Sequence, residues 1–214
     1  MKLDVQKWNL LKHPFYRSWE DGSLSRDTLK TYAAEYFQHV SAFPRYLSRM
    51  HSHIDDIKTR QILLENLIDE EKGEKNHPQL WKAFSKALGW NEAELQTYEA
   101  GPELENIKTT FFRLAEKSPA SALGALYAYE SQIPEIAEFK LEALKKFYID
   151  ANNKEALEFF EVHRIADSYH RKALEDVFES FSEAEKKEAQ SSAEEAAQAL
   201  WNFLDSMQRL EMAA

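Results

Sequence analysis

The sequence predicts an all-α protein, built as a bundle of seven or eight helices. Apolar residues recur with helical spacing nearly throughout the 214 residues, and only 5 Gly and 6 Pro interrupt the pattern. So few turn residues disfavour a loop-rich all-β fold. Hydrophobic residues make up 43% of the chain, and it contains no linker, low-complexity tract or internal repeat. We therefore expect one domain with one core over residues 1–214.

The helix boundaries in the first half follow from capping and turn residues. Ser25 suits the N-cap of a long second helix, which Pro44 is expected to kink. Asn76 and Pro78 resemble an N-cap and a first-turn proline. Glycines are expected to end three of the helices: Gly22, Gly73 and Gly89. The predicted segments are residues 4–20, 25–53, 56–72, 76–89 and a short helix at 91–98.

The second half begins at Gly101-Pro102, which predicts a turn. A long apolar helix is expected over residues 120–148, interrupted at Pro134. The last helix carries a stripe with 3-4-3 spacing, formed by Leu200, Phe203, Leu204 and Met207. The predicted segments of this half are residues 103–117, 120–148, 154–181 and 183–209.

The net charge and the absence of cysteine limit what the protein can bind and how it can hold a metal. The formal net charge of −10 disfavours binding to nucleic acids and to anionic membranes. No apolar run approaches the length of a membrane span, and residues 1–11 lack the apolar core of a signal peptide, so we expect a cytoplasmic protein. The chain has no cysteine, so any metal must be held by His, Asp, Glu or Tyr.

The motif His163-x3-Asp167-x2-His170 is the sharpest chemical signal. Spacings of four and three place the three side chains on one helix face. Imidazole and carboxylate together suit iron, manganese or zinc. The alternative is a solvated polar face, since Arg164 and Arg171 lie nearby. The motif taken alone does not decide between the two interpretations.

Further carboxylates and a histidine extend this signal. Glu130 follows an apolar stretch, where a carboxylate is costly to bury unless it is paired or binds a metal. Glu70 and His77 are seven residues apart, which is roughly 10 Å along a straight helix. Either Gly73 bends the chain, or the two residues serve opposite sides of a two-ion site. The ordinary explanation of Glu130 is an ion pair with a lysine or arginine elsewhere. The ordinary explanation of the segment with Glu70 and His77 is a run of charges that ends a helix.

Taken together, three carboxylates and three histidines predict a buried two-metal site that activates oxygen, as in other helical bundles. The ferritin-like pair of Glu-x-x-His motifs is absent, and Asp167-x2-His170 is the nearest match. The six predicted ligands are Glu70, His77, Glu130, His163, Asp167 and His170. The other histidines, His13, His39, His51 and His53, are expected to be surface or core groups.

Several longer motifs make the sequence similar to a known family. It resembles the self-sacrificing 4-aminobenzoate synthases related to the Chlamydia protein associating with death domains, in the haem-oxygenase-like dimetal oxidase superfamily. The resemblance covers about residues 12–205. The matching motifs are His13-Pro14-Phe15-Tyr16 with Trp19, Tyr32-Ala33, Ala42-Phe43-Pro44-x-Tyr46-Leu47-Ser48, Asp69-Glu70-Glu71-x-Gly73-x2-Asn76-His77, Ala125-Leu126-Tyr127-x-Tyr129-Glu130-Ser131-Gln132-Ile133-Pro134 and His163-x3-Asp167-x2-His170.

The resemblance implies a TenA/PqqC-like bundle and a single-turnover, oxygen-activating dimetal oxidoreductase of folate biosynthesis. It implies that the six residues above hold two metal ions, either Fe/Fe or Fe/Mn, with O2 and an external reductant as co-substrates. It also implies that Tyr16 gives the ring of 4-aminobenzoate and that Lys140 gives its nitrogen. Tyr32 is implied as a radical relay or as an alternative ring donor. A homodimer is expected, and death-domain binding is not.

Three alternatives remain open at this stage. One is a multi-turnover dimetal oxygenase or oxidase acting on a separate small molecule, which would not need Tyr16 or Lys140. A thiaminase-like hydrolase on the same scaffold is disfavoured, because the chain has no cysteine nucleophile. A non-enzymatic helical interaction protein would explain the acidic surface but not six converging metal ligands.

Overall fold

The computed structural model describes the backbone of residues 1–213 and the side chains of all of these except residues 165–170. This described part contains ten α-helices and no β-strand, which confirms the all-α prediction. The count exceeds the predicted seven or eight, because the short helix predicted at 91–98 forms as well and residues 120–148 form two helices. The helices are α1 (Pro14–Glu20), α2 (Arg26–His53), α3 (Ile57–Glu71), α4 (His77–Ala87), α5 (Glu92–Thr97), α6 (Pro102–Lys117), α7 (Pro119–Glu130), α8 (Ile133–Ala143), α9 (Lys154–Glu179) and α10 (Glu183–Ala213).

The N-terminus differs from the helix predicted over residues 4–20. Two short 3-10 turns, Gln6–Trp8 and Leu10–Lys12, precede α1, which begins only at Pro14. The His13 ring accepts a hydrogen bond at Nδ1 from the backbone N–H of Phe15, at 3.1 Å. Pro14 has no backbone N–H to satisfy in the first turn. The histidine cap and the proline together therefore set the start of the helix.

The other caps of the first half agree with the sequence. The Ser25 side chain accepts from the backbone N–H of Thr28, and Asn76 accepts from that of Gln79. Helix α2 continues through Pro44 over the predicted length, and the kink expected there stays a prediction. Gly101, expected in a turn, is instead the N-cap of α6, with the following proline in the first helical turn.

The predicted interruption of residues 120–148 is present but lies earlier. The break falls at Ser131 and Gln132, between α7 and α8, and Pro134 belongs to the first turn of α8. A proline is tolerated there because that N–H has no partner within the helix. After α8 the chain continues as a π-helical turn, Leu144–Tyr148.

Helix α7 lies at the centre of the bundle, and every residue from 120 to 130 is buried. It packs closely on α10, where a Cβ added to Gly124 would lie only 2.2 Å from the carbonyl oxygen of Ala189. Helices α2, α6, α8 and α9 also contact α7. No helix in the described residues is long and apolar enough to cross a bilayer.

Candidate active site

Three of the predicted metal ligands come together from three helices. Glu70 lies in the last turn of α3, His77 in the first turn of α4, and His163 in the middle of α9. One potential ligand atom from each residue lies within 4.8 Å of the others. The sequence left the distance between Glu70 and His77 unresolved. Gly73 adopts a φ of +83° between the two helices, so the chain turns there and the two side chains meet.

The contact between Glu70 and His77 is close without being a good hydrogen bond. Oε2 of Glu70 and Nδ1 of His77 are 2.9 Å apart, yet the angles leave Nδ1 without a hydrogen-bond partner. Burial lowers the pKa of His77, but Glu70 and other nearby carboxylates outweigh burial and raise it. A nitrogen and an oxygen that face the same small space are suited to share a cation.

His163 is oriented by its own helix. Its Nδ1 is 2.6 Å from the carbonyl oxygen of Phe159, so Nδ1 must donate, because a carbonyl only accepts. The neutral ring then carries its lone pair on Nε2, the arrangement in which backbone carbonyls commonly hold metal-binding histidines. The ring centroids of His77 and His163 are 4.3 Å apart.

Glu130 adds a buried carboxylate to the same region. It ends α7, it is buried, and its Oε1 accepts a 2.8 Å hydrogen bond from Nδ2 of Asn66. Burial is the main reason that the pKa of Glu130 is raised to about 8; the hydrogen bond from Asn66 and the nearby His77 oppose the rise, and the charge of Glu70 adds to it. A carboxyl that is costly to ionise in the apoprotein gains from a nearby cation.

The remaining predicted ligands, Asp167 and His170, have side chains that lie outside the described residues. Helix α9 is continuous through both positions. Their role as metal ligands therefore stays a prediction.

The predicted tyrosines and lysine form a second buried cluster. Nζ of Lys140 donates a 2.7 Å hydrogen bond to the hydroxyl of Tyr32, which lies 3.5 Å from the hydroxyl of Tyr16. Nζ also lies 4.9 Å from the ring centroid of each tyrosine. The exposed fraction of Lys140 is only 4%. The sequence had given no geometric position for this lysine.

The electrostatics of this cluster follow from burial. Burial lowers the pKa of Lys140 from 10.5 to about 7. Burial also raises the pKa of Tyr16 and that of Tyr32, and nearby Tyr36 adds to both shifts. Near neutral pH a large share of the Lys140 amine is therefore uncharged, beside two protonated phenols. The uncharged amine has the lone pair that a nucleophile requires.

Aromatic rings connect the two clusters. The ring of Phe159 lies 4.0 Å from that of His163, in a tilted arrangement, and 4.7 Å from that of Trp81, between centroids. Trp81 is 5.3 Å from Tyr36, whose ring stacks on Tyr32 at 5.3 Å. Rings in van der Waals contact thus run from a predicted metal ligand to the lysine-bound tyrosine.

Sequence reasoning missed three residues of this arrangement. Asn66, Trp81 and Tyr36 each lie four residues from a predicted site residue, namely Glu70, His77 and Tyr32. Side chains at i and i+4 share a helix face, so this spacing was the available signal.

Known proteins resemble this chain along most of its length. Residues 30–203 match the family described as iron-containing redox enzymes. The chain is 44% identical over 213 residues to a 4-aminobenzoate synthase of Nitrosomonas europaea, covering 94% of this chain and 86% of that protein. It is 39% identical over 203 residues to a 4-aminobenzoate synthase of Chlamydia muridarum, with the same two coverages, 94% and 86%.

Solved structures show the same fold at low sequence identity. A TenA homologue from Pseudomonas syringae superposes with a TM-score of 0.80 at 18% identity, covering 96% of this chain and 89% of that one. A CADD-like protein of unknown function from Nostoc punctiforme gives 0.79 at 15%, covering 97% and 92%. The chain belongs to the family of iron-containing redox enzymes with the haem-oxygenase-like fold, together with the 4-aminobenzoate synthases of Nitrosomonas and Chlamydia.

Proposed function

We propose that this chain is a 4-aminobenzoate synthase for folate biosynthesis that consumes its own side chains. The ring would come from Tyr16 and the nitrogen from Lys140. The observation that carries the proposal is the buried amine of Lys140, 2.7 Å from the Tyr32 hydroxyl and 4.9 Å from the Tyr16 ring. The relatives named 4-aminobenzoate synthase support it, because they match this chain over most of its length.

The product's structure fits the atoms of these residues. A tyrosine side chain already has a one-carbon substituent para to a heteroatom. Conversion to 4-aminobenzoate requires cleavage of the Cα–Cβ bond of Tyr16, oxidation of Cβ to a carboxyl, and replacement of the phenol oxygen by nitrogen. Lys140 is placed to act as the amine, because burial leaves a large share of it uncharged near neutral pH. Tyr32 lies between Lys140 and Tyr16, where it suits a radical relay.

The donor set fits the metals of this family. Glu70, His77, Glu130 and His163 would hold the ions together with Asp167 and His170, giving three carboxylates and three imidazoles. Two ions in the middle of a helical bundle are commonly held in this way. Bound iron, or iron with manganese, would supply the oxidising power by activating O2 at the expense of an external reductant. The protein's part is to hold Tyr16 and Lys140 together in a core that excludes water.

The proposal is tested by the source and the yield of the product. Protein reconstituted with iron and manganese, then given O2 and a reductant, should release 4-aminobenzoate with no aromatic substrate supplied. Ring-labelled tyrosine incorporated into the chain should appear in that product. Tyr16→Phe and Lys140→Arg should each be silent, whereas the control Tyr127→Phe should keep its yield. Product in clear excess of protein would instead favour a multi-turnover oxygenase.

Self-association belongs to the same proposal. We expect a homodimer in solution, and sedimentation equilibrium at several protein concentrations tests it. A single species of 25.0 kDa at all concentrations contradicts it.

A further inference from the structure

The tyrosine–lysine cluster is closed, so a molecule formed from the Tyr16 ring needs a way out. Tyr16 is 3% exposed and Tyr32 is fully buried. Protein cores are packed as densely as organic crystals, so a benzene-sized molecule passes only if a neighbouring side chain moves. The question is which side chain around Tyr16 moves most easily.

The aromatic neighbours of Tyr16 differ in their exposure to solvent. The ring centroids of Phe15, Trp19 and Phe139 lie 5.9, 6.1 and 5.8 Å from that of Tyr16. Phe15 and Trp19 are fully buried, whereas Phe139 is only partly buried. Phe139 also lines an open surface groove with Glu20, Glu142, Ala143, Lys145 and Lys146. One ring therefore contacts Tyr16 and borders the outside as well.

We propose that Phe139 is the gate through which the aromatic product leaves the core into this groove. The proposal rests on the proposed function, in which Tyr16 is the ring donor. Rotation of a partly exposed side chain disturbs less packing than displacement of a fully buried one, and exposed rotamers change quickly. Two acids and two lysines border the groove, so its charges nearly balance and present no strong barrier to an anion.

The local backbone is consistent with a gate on α8. Phe139 precedes Lys140, so the helix that holds the amine also carries the gate. Helix α8 has no side-chain cap at its N-terminus, and it passes into the π-helical turn Leu144–Tyr148. π-Helical turns interrupt the regular hydrogen-bond ladder and are frequent at functional sites.

A reaction-free experiment tests the gate directly. Tyr16→Gly removes the side chain, and p-cresol reproduces the missing atoms, as small aromatics do in engineered cavities. Stopped-flow measurement of Trp fluorescence gives the association and dissociation rates of p-cresol for Tyr16→Gly alone and combined with Phe139→Leu or Phe139→Trp. With the smaller leucine we expect both rates to rise several-fold, and with tryptophan both to fall, while Kd changes little.

The control is the same substitution at a ring placed elsewhere. Phe112 is also partly buried and lines a surface groove on α6. Phe112→Leu should leave both p-cresol rates unchanged. If substitution of Phe139 leaves both p-cresol rates unchanged, or if Phe112→Leu changes them equally, the gate is contradicted. Neither result bears on the proposed function. A change in Kd with an unchanged association rate also overturns it, because Phe139 would then be a binding contact.

A second measurement keeps Tyr16 in place, in case Tyr16→Gly does not fold. In a single turnover, rapid quenching gives the total 4-aminobenzoate formed, and rapid gel filtration gives the fraction already free. Phe139→Trp should delay release relative to formation, and Phe139→Leu should shorten any delay. Equal release kinetics in all three proteins contradict the gate. The absence of any product in the wild-type protein contradicts the proposed function itself.

Discussion

The environment of Lys140 in the folded protein differs sharply from its environment in the unfolded chain. The side chain is buried, with an exposed fraction of 4%, and aromatic rings surround its amine. Burial lowers its pKa from 10.5 to about 7. Between these two values the unfolded chain binds a proton that the folded chain does not. The contribution of this residue to stability therefore rises with pH across that window.

This sign gives a prediction for Lys140→Met. Methionine removes the cost of burying a charge, so the variant should gain stability relative to wild type at pH 7. The gain should shrink by about 3 kcal/mol between pH 7 and pH 9.5, since the slope reaches roughly 1.4 kcal/mol per pH unit only in the middle of this range. Urea denaturation of the metal-free proteins at several pH values measures it. The same substitution at the exposed Lys146 should give a difference that stays flat with pH.

The predicted metal ligands give a second prediction. His163→Ala removes an imidazole that the chain holds in the metal-binding tautomer. Elemental analysis should find about two ions per wild-type chain after reconstitution, as in other dimetal bundles, and most of this metal should be lost in the variant. The exposed His53 supplies the control, and His53→Ala should keep the metal. Equal metal contents in the two variants would argue against the site.

The sequence alone identified some of the site residues but not others. Helical spacing identified His163, and the apolar context of Glu130 identified a carboxylate that needed a partner. The same spacing did not show how Glu70 meets His77, because that contact depends on the turn at Gly73. Lys140 entered only through the family resemblance, since its contact with Tyr32 joins residues 108 positions apart.

Among the helices, the close contact between α7 and α10 fixes the position of α7, the helix that carries Glu130. A Cβ at Gly124 would lie 2.2 Å from the carbonyl oxygen of Ala189, which is rigid backbone. Gly124→Ala therefore forces the helices apart, and we expect a loss of about 1–3 kcal/mol in the free energy of unfolding. Gly101→Ala is the control, because the atoms nearest to its Cβ belong to the flexible side chain of Glu35, the first at 3.3 Å. Comparable losses in the two variants would contradict this account of the packing.

Helix ends were predictable where a side chain marks them and not where tertiary contacts decide. Ser25 and Asn76 cap their helices as their sequence positions indicate. The start of α1 was missed because the cap is a histidine, His13, which also bonds to Asp205 on α10 at 3.0 Å. The break after α7 precedes Pro134, since a proline is accommodated in the first turn that follows a break rather than at the break itself.

For the whole molecule, the resemblance to 4-aminobenzoate synthases is confirmed by the similarity along the chain. The all-α bundle follows from composition and periodicity alone, whereas the superfamily fold needed the motifs. That residues 1–214 form a single domain and that the protein is cytoplasmic stay predictions.

Metal should also stabilise the whole fold. Without cations, the buried carboxylates of Glu70 and Glu130 lie close enough to repel one another. A ligand that binds only the folded state at 100 to 1,000 times its Kd adds about 3–4 kcal/mol. Thermal melts should therefore show a higher Tm with iron and manganese than without. His163→Ala should lose most of that shift, and equal Tm values in the wild-type protein would speak against a buried site.

Intact-mass analysis of the chain before and after one turnover distinguishes self-sacrifice from catalysis on a separate substrate. With metal, O2 and a reductant, we expect a lighter chain that has lost the side chain of residue 16, with at most one 4-aminobenzoate released per chain. Tyr16→Phe should keep its mass under the same conditions. Loss mapped to Tyr32 instead would make that tyrosine the ring donor. An unchanged mass, with 4-aminobenzoate accumulating in excess of protein, would contradict self-sacrifice.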